Sequence, residues 1–233
     1  MEKGLHVGII LDGNRRWAKA RGMMPWVGHS KGAEKLEQLF DWCKELGINQ
    51  VTLYCFSMQN FQRSSAEVKF LFQVFKRSFD KLLKNIEKTR KDDIRIRFIG
   101  RTHLFPASIK ERMDKIMELT RDHKTYTANF CMAYGGREEI TDAMKKIAVL
   151  VENGDLAPEE ITEETIKENL WLQDEPDFII RTSGEQRTSN FLPWQGNYSE
   201  WFFPKKMWPE FEKEDLSTCV NEFLEQRQRR FGK

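Results

Sequence analysis

The sequence contains no GxxxxGK[ST], which excludes the phosphate loop of P-loop nucleotide hydrolases. No GxGxxG follows its first apolar run either, which excludes a dinucleotide-binding turn. Cysteine is sparse: Cys43, Cys55, Cys131 and Cys219 are scattered, with no CxxC and no histidine at ligand spacing, so they read as reduced core residues and not as a zinc site or disulfide framework. Nowhere are there ~18 consecutive apolar residues, and the N-terminus enters a strand pattern with no leader-like segment, so a soluble cytoplasmic protein is expected. Charge of one sign is lacking too: 38 basic against 36 acidic residues leave +2. That balance implies no general attraction to nucleic acid or anionic membrane, so any anion binding must be local. Repeats, low-complexity tracts and Gly/Ser linkers are absent, and residues 1–233 are expected to form one domain.

What the chain does have is alternation. Strand-like runs at Val7 to Leu11, Val51 to Phe56, Ile94 to Ile99, Tyr126 to Met132 and Phe178 to Ile180 are separated by helical patterns. This favours parallel βαβ units: an α/β domain with a central, mostly parallel sheet of about six strands covered by helices. Ser30 is a candidate cap for a helix carrying Leu36, Leu39, Phe40, Cys43 and Leu46, stopped by Gly47. A long helix carries Val68, Leu71, Phe72, Phe75, Phe79, Leu82, Leu83 and Ile86 as one stripe, widened by Phe70 and Val74. Most of that stripe reads as core; 17 Phe and 7 Trp leave room for an apolar ligand as well. A further helix carries Ile140, Ala143, Met144, Ile147 and Val151, and the tail from Asp215 to Arg229 reads as the last one.

Ligands of open α/β sheets bind beyond the carboxyl ends of the strands, and here those ends are polar. The first strand is followed by Asp12, Gly13, Asn14, Arg15 and Arg16; the second by Ser57, Asn60 and Arg63. Gly100 and Arg101, then Gly135, Gly136 and Arg137, follow the next two. The last is followed by Arg181, Thr182, Ser183, Gly184, Glu185, Arg187, Ser189 and Asn190. Guanidiniums after at least four strands need an anionic ligand to offset their repulsion, and their planar forks suit phosphate oxygens. A carboxylate such as Asp12 does not serve phosphate directly but can hold Mg²⁺ that does; on its own it could equally be a helix cap. A diphosphate or polyphosphate is the substrate class these residues imply.

With these motifs in view the chain resembles the cis-prenyltransferase (undecaprenyl diphosphate synthase) family over essentially its whole length. The resemblance is carried by His6 to Lys19 (HVGIILDGNRRWAK), Gly28-His29 with Gly32, Thr52 to Ser57 (TLYCFS), Tyr134 to Arg137 (YGGR), Ile180 to Asn190 (IRTSGEQRTSN), Trp194-Gln195, Tyr198 to Glu200 and Arg229 to Gly232 (RRFG). Pro25-Trp26 looks closest to archaeal members. The DDxxD box of trans-prenyltransferases is absent, since Asp92-Asp93-Ile94-Arg95-Ile96 lacks the closing Asp.

The resemblance implies condensation of isopentenyl diphosphate with an allylic prenyl diphosphate, Mg²⁺ as cofactor, a hydrophobic tunnel, and a homodimer whose C-terminal segment approaches the neighbouring site. No nucleic acid is expected, and at most transient membrane association for product release. Asp12, Ser57, Asn60 and Arg63 take catalytic roles by that resemblance, the latter three on a mobile loop. Gly13, Asn14, Arg15 and Arg16, with His29 beside them, would bind the allylic diphosphate, Arg181, Arg187 and Ser189 the isopentenyl diphosphate, and Trp17 and Phe61 would also contact substrate. Asp12 and Glu200 would place the metal.

The departures concern the product. Where many members read SxEN[WF]xRP, this chain has Gln59 for the Glu and Ser64 for the Pro. Cys55 stands where Ala is common; Tyr126, Phe130 and Met132 add bulk to a strand that could face the tunnel, and Trp201-Phe202 is bulkier than the usual pair after Glu200. These changes point to a shorter product or irregular, non-head-to-tail coupling. Two other classes compete: a non-catalytic accessory subunit, against which the DGNRR, RTSGEQR and RRFG blocks argue, and a nucleotide- or RNA-binding module, against which the near-zero charge and long apolar stripe argue.

Overall fold

The five runs with the strand signature, joined by a sixth short strand, pair into one sheet in the computed structural model, which describes residues 4–229. The strands are β1 (Leu5–Ile10), β2 (Ile48–Ser57), β3 (Ile94–Ile99), β4 (Tyr126–Tyr134), β5 (Phe178–Arg181) and β6 (Glu200–Phe202). Every pairing is parallel, in the order β3-β4-β2-β1-β5-β6. The helices are α1 (Asn14–Lys19), α2 (Pro25–Glu45), α3 (Ser65–Lys84), α4 (Ile86–Lys91), α5 (Ala107–Thr120), α6 (Gly136–Glu152), α7 (Glu163–Asn169) and α8 (Lys213–Arg229).

The central strands β1 and β5 are buried on both sides because both faces are covered, while the edge strand β3 keeps Arg95 in solvent. On one face Val7, Ile9, Leu53, Phe98, Phe130 and Ile180 pack against Leu39 of α2, Leu71 and Phe79 of α3, Met113 of α5 and Leu216 of α8. On the other, Ile10, Cys131, Tyr134 and Ile179 meet Leu172, Phe191 and Leu192. Burying a side chain of this size contributes roughly 1.5–3 kcal/mol, so the two layers account for a stable domain without cross-links. Burial pushes the thiols of Cys43, Cys55 and Cys219 up to about 12, which leaves them as protonated, inert core groups.

Several boundaries depart from the sequence reading. The second helix begins at Pro25, whose fixed φ suits a first turn, so Ser30 lies inside α2 and caps nothing. Its early start is enforced by close packing: a Cβ on Gly28 would stand 1.9 Å from the Asn14 carbonyl oxygen. The α3 stripe ends at Asn85, so Ile86 belongs to α4, and Met144 of α6 faces solvent. Asp93 is a turn residue: its carboxylate accepts bonds from the backbone N–H groups of Lys124 and Thr125 and pairs with His123 at 2.9 Å, tying the starts of β3 and β4 together.

Candidate active site

β1 and β5 are neighbours, but the chain leaves β1 toward β2 and leaves β5 toward β6, on opposite sides. A crevice therefore opens between their carboxyl ends. Asp12 and Arg181 stand across it: Arg181 Nη2 donates to Asp12 Oδ2 at 2.7 Å. The other carboxylate oxygen accepts the Gly13 N–H at 2.7 Å and lies 3.5 Å from Arg16 Nη2. Gly13 is essential to this turn, since its φ is 101° and a Cβ there would come within 2.8 Å of Met207. Burial works to raise the Asp12 pKa, but Arg181, the Gly13 N–H and Arg16 together outweigh it and hold the carboxyl below its usual range. Asp12 is an ionised, partly exposed carboxylate at neutral pH.

Two basic clusters flank Asp12, because the successive residues Arg15 and Arg16 of α1 reach in different directions. Arg16 turns toward β5, donating to Ser183 Oγ at 2.6 Å and Glu185 Oε1 at 2.7 Å, and the other Glu185 oxygen pairs with Arg187. Beneath them Arg181, with its side chain only 4% exposed, donates through Nη1 to the Arg187 carbonyl and to Ser189 Oγ, both at 2.6 Å. The loop bearing these groups is bent unusually: Ser183, Gly184, Ser189, Asn190 and Leu192 all have positive φ. Non-glycine residues held this way cost of order 1–3 kcal/mol each and concentrate at functional sites. Ser183 and Gly184 are fixed by bonds from their N–H groups to the carbonyls of Lys206 and Pro204, at 2.7 and 2.9 Å.

The second cluster lies toward α2 and α3. Glu67, 12% exposed, accepts Arg63 Nη1 at 2.7 Å and lies 3.7 Å from Arg15 and 3.5 Å from His29. Arg63 Nη1 also stands 3.3 Å from His29 Nε2. Burial and the nearby Arg63 and Arg15 charges depress the His29 pKa to about 4, against the smaller opposing pull of Glu67. His29 is thus a neutral acceptor for Arg63. The unfolded chain binds a proton between pH 6.5 and 4 that the folded chain does not, so this site contributes stability above pH 6.5 that is lost as pH falls through that window. Melting midpoints measured across it should fall less steeply for His29→Asn than for wild type; parallel slopes would show that His29 is protonated in the folded protein.

The remaining candidates hold the frame. Ser57 N–H donates to Asn60 Oδ1 at 3.0 Å within a short 3₁₀ turn (Met58–Gln62). Phe61 anchors it in the aromatic core, 4.9 Å from Phe56 and 5.9 Å from Phe105. Asn14 reaches back to the Leu11 carbonyl at 2.9 Å, beneath Gly28 and Gly32 of α2. Trp17 is covered by the Arg21 guanidinium at 4.6 Å. Arg101 is engaged elsewhere, in a bidentate pair with Asp142 at 2.8 and 3.0 Å.

Glu200 does not share a site with Asp12 within one chain. The register sets Glu200 beside Phe178 and Phe178 beside Val7, about 10 Å along the strand below the end of β1. Among the described residues no group of three metal-ligating side chains forms. The C-terminal RRFG block lies at and beyond the end of the described residues.

Two features correct the sequence reading. The arginines do not depend on a ligand for charge balance, because Asp12, Glu67, Glu185 and Asp142 neutralise them internally. Glu67 itself went unassigned, although Ser64-Ser65-Ala66-Glu67 carries a capping-box signature. Ser64 Oγ accepts the Glu67 N–H at 3.3 Å, so the serine in place of the family proline starts α3.

Fold and crevice together define an α/β enzyme that handles anionic groups at a parallel-sheet switch point. The sequence model named Prenyltransf, that of undecaprenyl diphosphate synthases, matches residues 10–232. A tritrans,polycis-undecaprenyl-diphosphate synthase (geranylgeranyl-diphosphate specific) of Methanopyrus kandleri is 44% identical over 98% of this chain and 84% of its own. The enzyme of the same name from Pyrococcus abyssi is 45% identical over 98% and 86%. The crystal structure of lavandulyl diphosphate synthase from Lavandula x intermedia in complex with dimethylallyl diphosphate superposes with a TM-score of 0.90 at 34% identity, covering 94% of both chains. The chain belongs to the undecaprenyl diphosphate synthase family of prenyltransferases. It is a prenyl-transferring enzyme that condenses isopentenyl diphosphate with an allylic prenyl diphosphate.

Proposed function

We propose that the two clusters flanking Asp12 are the two diphosphate sites, the allylic one over α1 and the isopentenyl one over the loop after β5. The carrying observation is the division itself: Arg15, His29, Arg63 and Glu67 on one side, Arg16, Ser183, Glu185, Arg187 and Ser189 on the other, with the ionised Asp12 between. On the allylic side Gly13 lets the chain turn, and the backbone of Asn14, Arg15 and Arg16 forms the first turn of α1, where N–H groups lack intrahelical acceptors, while the Arg16 side chain turns to the other side. Those donors and the Arg15 fork suit a departing diphosphate. Arg187, with 58% of its side chain exposed, is free to exchange Glu185 for isopentenyl diphosphate. Arg181 is held from below and acts through Asp12 and Ser189, not by touching substrate.

Asp12 suits Mg²⁺, being an accessible carboxylate kept ionised, and the ion commonly takes one or two carboxylates together with substrate phosphates. When bound, the ion neutralises charge gathering on the leaving diphosphate. Glu200 stands too far down β6 to join that ion from the same chain, so its part, if metal-directed, belongs to a second position or to a homodimer partner. No helix among the described residues is long and apolar enough to cross a membrane.

Arg187→Ala is expected to raise the KM for isopentenyl diphosphate about tenfold or more while moving the allylic KM little, because a charge-assisted hydrogen bond contributes about 1.5–3 kcal/mol. Initial rates with each substrate varied in turn check this; equal effects on both would reject the division of sites.

Geranylgeranyl diphosphate is the primer to offer first, since the archaeal relatives are named for it. A shorter product is favoured by one specific observation. The Phe130 ring is lodged between Phe40 of α2, at 6.1 Å, and Phe98 of β3, at 5.5 Å, on the face where a growing chain would need room. A packed interior does not yield volume cheaply, and removing one ring frees space on the order of one isoprene unit. Phe130→Ala should therefore lengthen the dephosphorylated product by at least one such unit, read by mass spectrometry. An unchanged product would show that Phe130 is ordinary core.

A further inference from the structure

The hydroxyl of Tyr54 lies where three of the strand-end blocks meet, and nothing above gives it a task. Tyr54 belongs to β2, which bulges immediately after it: Tyr54 pairs with Cys131 and Phe56 with Met132, leaving Cys55 unmatched. The bulge turns Phe56 to the α3 face while Tyr54 stays on the opposite face, stacked on Phe191 at 4.8 Å and edge-on to Tyr134 at 5.9 Å. From there its single hydroxyl proton has the Ser189 carbonyl within reach at 3.3 Å, with the Tyr134 carbonyl as the alternative acceptor at 3.4 Å and the Ser57 side chain beside it. Ser189 has φ 50°, a conformation that needs outside support, and its Oγ receives the Arg181 guanidinium that also holds Asp12.

We infer that Tyr54 is a positioning residue for isopentenyl diphosphate, its hydroxyl fixing the Ser189 backbone so that Ser189, Arg181 and the Arg187 segment keep their places. Burial raises the phenol pKa well above its usual value, so the group remains a neutral donor and takes no part as a base. The inference rests on the assignment of the β5 loop to isopentenyl diphosphate given above.

Tyr54→Phe keeps the ring and its stack on Phe191 and removes only the hydroxyl. Its KM for isopentenyl diphosphate should rise about three- to tenfold, the span for losing one neutral hydrogen bond, with kcat and the allylic KM within about twofold of wild type and an unchanged melting midpoint. A merely structural tyrosine would lower the midpoint or move both KM values together. In a double-mutant cycle with Ser189→Ala, the two KM effects should be less than additive, since the hydroxyl acts through Ser189. Wild-type constants in an active Tyr54→Phe enzyme, full additivity, or a fall in kcat alone would each overturn the inference while leaving prenyl transfer standing. A wild-type protein that consumes neither substrate would remove the functional reading itself.

Discussion

Asp12→Asn is expected to lower turnover by at least ~10²-fold, the scale for losing one preorganised electrostatic group from an active site. The asparagine keeps the side-chain shape and one acceptor, enough for either Arg181 Nη2, now 2.7 Å from Asp12 Oδ2, or the Gly13 N–H on the other oxygen, while its amide NH2 faces the remaining donor. What disappears is the negative charge between the two basic clusters, and with it the metal-holding carboxylate. Asp12→Ala is the poorer test: it removes the charge and both acceptors at once, leaving the Arg181 guanidinium, 4% exposed, with no partner at that position, and breaking a buried pair typically costs about 3–5 kcal/mol. Single-turnover rates with saturating substrates, beside melting midpoints, distinguish the two effects. A folded Asp12→Asn enzyme turning over like wild type would remove Asp12 from the chemistry.

Arg181→Lys should lower kcat/KM for isopentenyl diphosphate by about 10- to 100-fold. The guanidinium makes three charge-assisted bonds in a fixed fork, to Asp12, Ser189 and the Arg187 carbonyl. A lysine keeps the charge but reaches at most some of these partners, and each charged bond contributes roughly 1.5–3 kcal/mol. Since Arg181 supports both Asp12 and the β5 loop, kcat and KM should both suffer, unlike the KM-dominated effect expected at Arg187. Kinetics that match wild type would mean that the fork is dispensable and that position 181 serves only to bury a charge.

The sheet was legible because apolar runs of strand length alternate with helical stripes, and the rim because polar residues crowd the ends of those runs. β6 escaped because three residues, Glu200–Phe202, are too few to show a period. The residue types at the site were legible, their partners less so. Arg16 and Glu185 are separated by 169 positions, and no local pattern announces such a pair. Reading the arginines as a repelling set overstated their need for a ligand, since carboxylates from α3, α6 and the β5 loop reach them through tertiary structure. Arg181 illustrates the same limit: its motif marks it as important, but only the fold shows it facing inward. The bulge at Cys55 is likewise invisible in an apolar run, yet it determines which face Phe56 and Tyr54 occupy.

The central claim is tested most directly by incubating the purified protein with labelled isopentenyl diphosphate and C5, C10, C15 or C20 allylic primers, each with Mg²⁺ or with EDTA after metal stripping, and analysing the dephosphorylated products by chromatography and mass spectrometry. The account predicts label in a lengthened prenyl alcohol with at least one primer, dependent on both primer and Mg²⁺; no incorporation with any primer, or full incorporation in EDTA, would contradict it.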